Sequence, residues 1–167
     1  DPHPLVYVGV SVQMEETVNI AYNLAYKYDI GVGIAKGGLF LTFMFNLFGL
    51  ETKVVHAHRN DEGAIFKWND KILPEGLRNK KVAVFDKDVD TGRTTARVLK
   101  ELKQYCPKQI DLVLILNPTP ASEAGTNLPN VPAGYNGVYY PRKVGYNLFD
   151  RAIEKLEQKL AERNTLN

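Results

Sequence analysis

Val82–Thr95 reads VAVFDKDVDTGRTT, and the fold follows from how this stretch is parsed. Lys81–Phe85 has the β-branched and aromatic character of a short buried strand. Three acids come next at alternate positions: Asp86, Asp88 and Asp90. Then Thr91, Gly92, Arg93, Thr94 and Thr95 lead into a helix-period stretch, Thr94–Gln104. A strand that passes into a helix through a glycine turn is the building unit of an α/β fold.

Working outward, the same alternation recurs. Short apolar runs at Leu5–Val12, Ile30–Ile34, Thr52–Ala57, Ile110–Leu116 and Gly137–Tyr140 read as further strands. Helix-period stretches lie at Met14–Tyr28, Gly38–Phe48 and Tyr146–Arg163. In the last, Leu148, Phe149, Ala152, Ile153, Leu156 and Leu160 form one apolar stripe, which predicts an amphipathic surface helix. The expected architecture is a mostly parallel central sheet flanked by helices. In such folds ligands bind beyond the carboxyl ends of the strands. Two segments break the alternation. Arg59–Asp70 is polar and predicts a mobile loop or a two-stranded excursion. Asn117–Gly137 is rich in proline and glycine and predicts irregular structure.

Bulk properties narrow the classes. With 167 residues the chain makes one domain, 1–167. A net charge of +2 without a Lys/Arg block gives no footprint for nucleic acid. The longest apolar stretch, Leu39–Leu50, is too short to span a bilayer. Asp1–Pro4 has no basic region leading into an apolar run, so no signal peptide is expected. The single cysteine, Cys106, cannot form an internal disulfide, so a structural role and a reducing, cytoplasmic setting are expected. His56 and His58 alternate at a strand end, but two histidines without a third ligand read as surface or lid residues rather than a metal site.

The order strand, acids, hydroxyl-rich glycine turn, helix has a chemical logic. A helix start offers unpaired N–H groups and partial positive charge. The hydroxyls of Thr91, Thr94 and Thr95 can donate to phosphate oxygens. Gly92 lets the backbone approach the anion. Carboxylates just upstream can hold sugar hydroxyls or Mg²⁺, with Asp86 and Asp88 as the metal candidates. An EF-hand is excluded, because its sixth position would be Thr91 rather than Gly and its twelfth Arg97 rather than Glu. A haloacid-dehalogenase-type phosphatase also has a strand ending in Asp-x-Asp; it wants Thr or Val where Asp90 stands, and a downstream acidic pair that is missing. A Thr cap beside solvated acids, with no ligand, is the plainest alternative.

A second glycine turn, Ala35-Lys36-Gly37-Gly38, follows the strand Ile30–Ile34. The spacing Gly31-x-Gly33-x-x-x-Gly37 misses the dinucleotide fingerprint by one residue. A tight strand-to-helix turn accounts for Gly37 and Gly38 but not for Lys36.

Val82–Thr94 resembles the signature of the type I phosphoribosyltransferases: four apolar residues, two acids, two apolar residues, then Asp-Thr-Gly-x-Thr. The Lys-Gly-Gly turn is similar to the pyrophosphate loop of the hypoxanthine-guanine members. The two loops stand in that family's order, about 50 residues apart. The resemblance covers roughly Ile30–Leu116, with a weaker echo in Val144-Gly145-Tyr146. It implies a phosphoribosyltransferase fold with a small irregular C-terminal hood at about 117–147 and a flexible lid at about 59–70. It also implies transfer from phosphoribosyl pyrophosphate (PRPP) to a nucleobase, a 6-oxopurine by preference, with Mg²⁺ as cofactor and a homodimer or higher homo-oligomer as the assembly. Thr91, Gly92, Arg93, Thr94 and Thr95 would take the 5′-phosphate. Asp86, or Asp86 with Asp88, would hold the ribose. Lys36, Gly37 and Gly38 would hold pyrophosphate, with a cis peptide expected at Ala35–Lys36 and Arg59 and Lys67 reaching in from the lid. Asp90 has two readings, general acid/base toward the base or helix cap. Asn117 and Tyr140 are the candidates for the base pocket, Tyr139 and Tyr140 also reading as core. The chain departs from the pattern at Lys87, where a second acid is expected. Either Asp88 serves in its place or one ribose contact is lost, and a PRPP- or nucleotide-binding protein without turnover is the alternative.

Overall fold

The computed structural model describes residues 4–60, 63–69, 74–89, 91–116, 131–141 and 148–166. Asp90, Asn117 and the echo at 144–146 lie outside the described residues, as do 117–130 and 142–147 of the expected hood. The chain opens with helix α1, Pro4–Leu24, extended by a 3-10 turn at Ala25–Lys27. The expected strand at Leu5–Val12 is therefore corrected: it is the first half of this helix. Strand-like residues there carry only a weak preference, which tertiary context overrides. No proline or turn interrupts the run from Leu5 to Leu24, and Pro4 suits a first helical position, where its missing N–H costs nothing.

Six strands form one sheet in the order β3-β2-β1-β4-β5-β6. They are β1 Ile30–Ala35, β2 Thr52–Asn60, β3 Gly63–Trp68, β4 Lys81–Asp86, β5 Gln109–Leu114 and β6 Gly137–Tyr139. Only β3 runs antiparallel, pairing with β2 at one edge. Of the two readings of Arg59–Asp70, the two-stranded excursion is the one observed over its described part. The parallel strands read as near-continuous apolar runs because helices cover both faces. Helix α2, Leu39–Leu47, and α1 pack Ile20, Leu24, Leu41 and Phe45 against Phe85 and Val113. On the other face α3, Arg93–Lys103, packs Val98, Leu99 and Leu102 against Val32, Val84 and Leu112.

With both faces taken, α4, Leu148–Thr165, stays peripheral. Of its stripe, Ile153, Leu156 and Leu160 are 54%, 58% and 50% exposed. Cys106 is exposed in the turn that follows α3. No helix among the described residues is long and apolar enough to cross a membrane.

The chain leaves β1 toward β2 and β3 on one side, then returns to lay β4 against the other side of β1. The β1/β4 pair is thus the point where strand order reverses, and a crevice opens there beyond the strand ends.

Candidate functional site

Both glycine turns leave the sheet at this crevice. Strands β1 and β4 are parallel neighbours, with Gly33 opposite Phe85, so the turns after Ala35 and Asp86 come out side by side. Gly33 sets how closely α2 can approach: a Cβ there would sit 1.8 Å from Thr42 Oγ1. The Ala35–Lys36 peptide is cis. Gly38 N–H donates to Ile34 O at 2.7 Å, and Thr42 Oγ1 donates to Gly38 O at 2.7 Å. Gly38 is buried against β4, where any Cβ would lie 2.0 Å from Phe85 O. Gly37 faces the next residues along: a Cβ there would come within 2.9 Å of Asp86 Oδ1 and 3.1 Å of Lys87 Cβ. Lys36 and Lys87 are both exposed.

The second turn is anchored at its base. Lys87 O accepts from Ile115 N–H at 3.1 Å and Leu116 N–H at 2.9 Å, tying it to the end of β5. Lys87 N–H donates to Asp86 Oδ1 at 2.8 Å. Burial pushes the Asp86 carboxyl up to about 6; that hydrogen bond opposes the rise and the Asp88 charge adds to it. Gly92 turns the chain into α3 with φ 83°, a left-handed conformation suited to glycine. Thr95 Oγ1 donates to Gly92 O at 3.2 Å, and Tyr135 OH donates to Thr95 O at 2.7 Å, bracing the first turn of α3 from the far side. Burial, and after it the Asp86 charge, keeps the Tyr135 phenol protonated well beyond the usual range.

Asp86, Asp88, Val89, Thr91, Gly92, Arg93, Thr94 and Thr95 line a cavity of about 120 Å³ at this helix start. The first turn of α3 carries no acid, and no side chain caps Gly92. Positive charge from Arg93 and from the helix dipole therefore faces the cavity without a carboxylate in that turn to cancel it. This is the chemistry of an anion cradle. Thr91 Oγ1 accepts from Arg93 N–H at only 3.5 Å.

The structure thus brings together Asp86, Asp88, Thr91, Gly92, Arg93, Thr94 and Thr95 around one cavity, with Lys36, Gly37 and Gly38 beside it. Arg59 lies in β2, and its side chain is outside the description, as is that of His58. Tyr140 is half-buried and packs against the α3-side core. Tyr139 packs on the opposite face, where Lys27 Nζ lies 5.9 Å from its ring. His56 Nδ1 meets Asn69 Oδ1. Among the described residues no group of three or more His, Cys, Asp or Glu side chains is placed to hold a metal. Tyr135 and Val89 were not anticipated from sequence. Tyr135 reaches Thr95 from 40 residues away through the proline- and glycine-rich stretch, which carries no periodic signal.

No protein-family model and no curated protein matches the sequence. Solved structures do. The chain is similar to a purine phosphoribosyltransferase from Pyrococcus horikoshii, at 24% identity over 75% of this chain and 77% of that one, with a TM-score of 0.55. It is similar to a hypothetical protein from Neisseria gonorrhoeae with bound ppGpp, at 22% identity over 77% and 84%, TM-score 0.53. A hypoxanthine-guanine phosphoribosyltransferase from Bacillus anthracis matches at 16% identity over 75% of each chain, TM-score 0.53. The fold is that of the type I phosphoribosyltransferases.

Proposed function

We propose that the protein is a PRPP-dependent phosphoribosyltransferase, joining a nucleobase to ribose 5-phosphate with release of pyrophosphate, 6-oxopurines being the favoured bases. The observation that carries this is the pairing of two glycine turns at the β1/β4 switch point. One would hold a phosphate at a helix start, and the other brings Lys36 and two glycines beside it. A substrate with a phosphate at each end of a ribose fits that layout. Positioning and charge stabilisation are then the protein's work. Arg93 and the threonines would fix the 5′-phosphate and Asp86 the ribose hydroxyls. Lys36 and the glycine backbone would take the leaving pyrophosphate. Asp90 is proposed as acid/base toward the base, and Asn117 as a base contact.

The expected cofactor is Mg²⁺ on Asp86 and Asp88. Asp88, exposed at the cavity, and the Asp86 oxygen not taken by Lys87 N–H would hold it together with phosphate oxygens of the substrate.

The test is pyrophosphate release from PRPP with each common base in turn, with and without Mg²⁺. Turnover with hypoxanthine or guanine is the expected result. No turnover with any base, together with tight nucleotide binding, favours the second reading, a nucleotide-binding regulatory protein. Lys87 supports that alternative, as does the ppGpp bound to the Neisseria protein of the same fold. A homodimer belongs to the same proposal. Leu39, Phe43 and Leu47, 40%, 56% and 61% exposed, line one face of α2 directly after the Lys36 turn and form an apolar row suited to a second copy.

A further inference from the structure

Arg93 N–H has only a weak protein partner. Thr91 Oγ1 accepts from it at 3.5 Å, beyond the usual reach of an N–H···O bond. The trans peptide that carries this N–H has Gly92 O on its other edge, pointing the opposite way. Gly92 O is held twice: Ala96 N–H donates to it at 2.9 Å and Thr95 Oγ1 at 3.2 Å. Holding the carbonyl fixes the peptide plane. It thereby aims Arg93 N–H out of the helix start, where Gly92 and Arg93 line the cavity.

Both donors to Gly92 O belong to Thr95 and Ala96, and Tyr135 acts on that pair. Its OH donates at 2.7 Å to Thr95 O, the carbonyl of the same peptide unit that carries Ala96 N–H. A hydrogen bond to a carbonyl polarises the peptide and strengthens its N–H as a donor. Tyr135 OH, the Thr95–Ala96 peptide and the Gly92–Arg93 peptide thus form one chain, which ends at an N–H facing the cavity.

The phenol is itself held from both sides. Asn136, the next residue, clasps β5: its N–H donates to Ile110 O at 2.8 Å, and its Oδ1 accepts from Ile110 N–H at 2.9 Å. Gly134, just before, has φ 112° and lies on α3, where a Cβ would be 3.0 Å from Leu99 Cδ2 and 2.6 Å from Lys103 Nζ. Residues 134–136 are therefore a strap from α3 to β5, and the Tyr135 side chain starts from a fixed backbone. A space-filling aromatic would need this packing but not the hydroxyl.

We infer that Tyr135 is a positioning residue for the phosphate: from outside the cavity lining, through Thr95, Ala96 and Gly92, it fixes and strengthens Arg93 N–H as an anion donor. The inference rests on the reading of Thr91–Thr95 as a phosphate cradle, and neither on turnover nor on the base.

Calorimetric titration of the full chain with ribose 5-phosphate, and with inorganic phosphate as the smallest probe, tests it. Tyr135→Phe should weaken both ligands by about threefold to tenfold, the worth of one neutral hydrogen bond. Tyr28→Phe makes the same chemical change on the opposite face of the sheet, at the 2.9 Å bond from Tyr28 OH to Asp111 Oδ2. It should lower the urea midpoint as Tyr135→Phe does, and leave both affinities unchanged. Gly134→Ala lifts the strap from α3 without altering the phenol and should reproduce the loss of affinity. In amide NMR spectra the Arg93 proton should move downfield as phosphate binds wild type, and move less in Tyr135→Phe, a readout that lost stability alone does not alter. Equal affinity in wild type and Tyr135→Phe, or an equal loss in Tyr28→Phe, overturns the inference and leaves the proposed function standing. Should Tyr135→Phe fail to fold, unchanged affinity in Gly134→Ala overturns it in the same way. Failure of wild type to bind either ligand overturns the cradle itself, and the inference with it.

Discussion

Asp86→Asn should stabilise the protein and weaken its ligand binding, in a way that pH separates. The Asp86 carboxyl is pushed from 3.8 to about 6, chiefly by burial. At about 1.4 kcal/mol per pKa unit, that is a penalty of roughly 3 kcal/mol on the ionised folded protein. The carboxyl is only half-buried and reaches the cavity, so solvent screening lowers the figure to about 1–2 kcal/mol. Below pH 3.8 the group is protonated folded and unfolded, and there is no penalty. As pH rises toward 6 the folded chain binds the proton that the unfolded chain has released, so stability falls; above 6 the loss is complete. Asparagine carries no charge at any pH and keeps an oxygen for the Lys87 N–H. The variant should melt with wild type near pH 4 and above it near pH 8, by about 2–8 °C for a chain of this size. Its affinity for ribose 5-phosphate at pH 8 should fall by about tenfold or more, through loss of charge-assisted hydrogen bonds. Thermal melts across pH, paired with titrations of ribose 5-phosphate, check both halves. A stability gap that does not change with pH, or a variant less stable than wild type at pH 8, refutes the assignment of a strained carboxylate at this strand end.

Three further outcomes are expected. Gly92→Ala forces a side chain onto a left-handed backbone at φ 83°, which costs about 1–2 kcal/mol; chemical denaturation should show that loss together with weaker ribose 5-phosphate binding. Tyr135→Phe leaves the Thr95 carbonyl without its 2.7 Å donor and should cost about 1–3 kcal/mol, seen as a lower midpoint in urea with the slope unchanged. Leu47→Glu puts a charge at the end of the exposed α2 row and should shift sedimentation toward monomer while leaving the melting temperature of the monomer within a few degrees; an unchanged oligomeric state counts against that face as the contact.

Both turns were legible in the sequence because their chemistry is local. A strand, a glycine turn and a helix start lie within a dozen residues, and the backbone conformation of the turns is written in Gly92, Gly37 and Gly38. The strand order could be anticipated only as a class. That β4 returns to the far side of β1 depends on pairings such as Gly33 with Phe85, 52 residues apart, which no window of sequence contains. Leu5–Val12 was misread for a physical reason. Its valines and tyrosine satisfy a strand pattern and a helix pattern alike, and what decides is the continuation through Met14 to Leu24 without a breaker. Tyr135 was invisible for the opposite reason: it sits in sequence with no period at all, and its role comes from one long-range hydrogen bond. The stripe on α4 was legible, but its burial was not, because periodicity records which residues share a face and not whether anything remains for that face to cover.

Lys87 and Gly38 together explain why the site should discriminate by distance. Gly38 is wedged on Phe85 O, and Lys87 hangs from the two N–H groups that end β5. The Gly38 turn is therefore fastened to the end of β4 through close packing, and the Lys87 turn to the end of β5 through hydrogen bonds. The cradle at Thr91–Thr95 begins four residues further along the same chain and is braced by Tyr135. None of these fixings involves a mobile side chain on the solvent side, so the spacing between the backbones of the two turns is set by the sheet. On the proposed reading, a ligand whose two phosphates match that spacing would gain contacts from both turns, whose backbones are already in place. One with a single phosphate gains only half, and one with a shorter bridge must break a contact or move the sheet end. On that reading, selection for a sugar flanked by phosphates needs no recognition of the base, and the base pocket would be built by other residues.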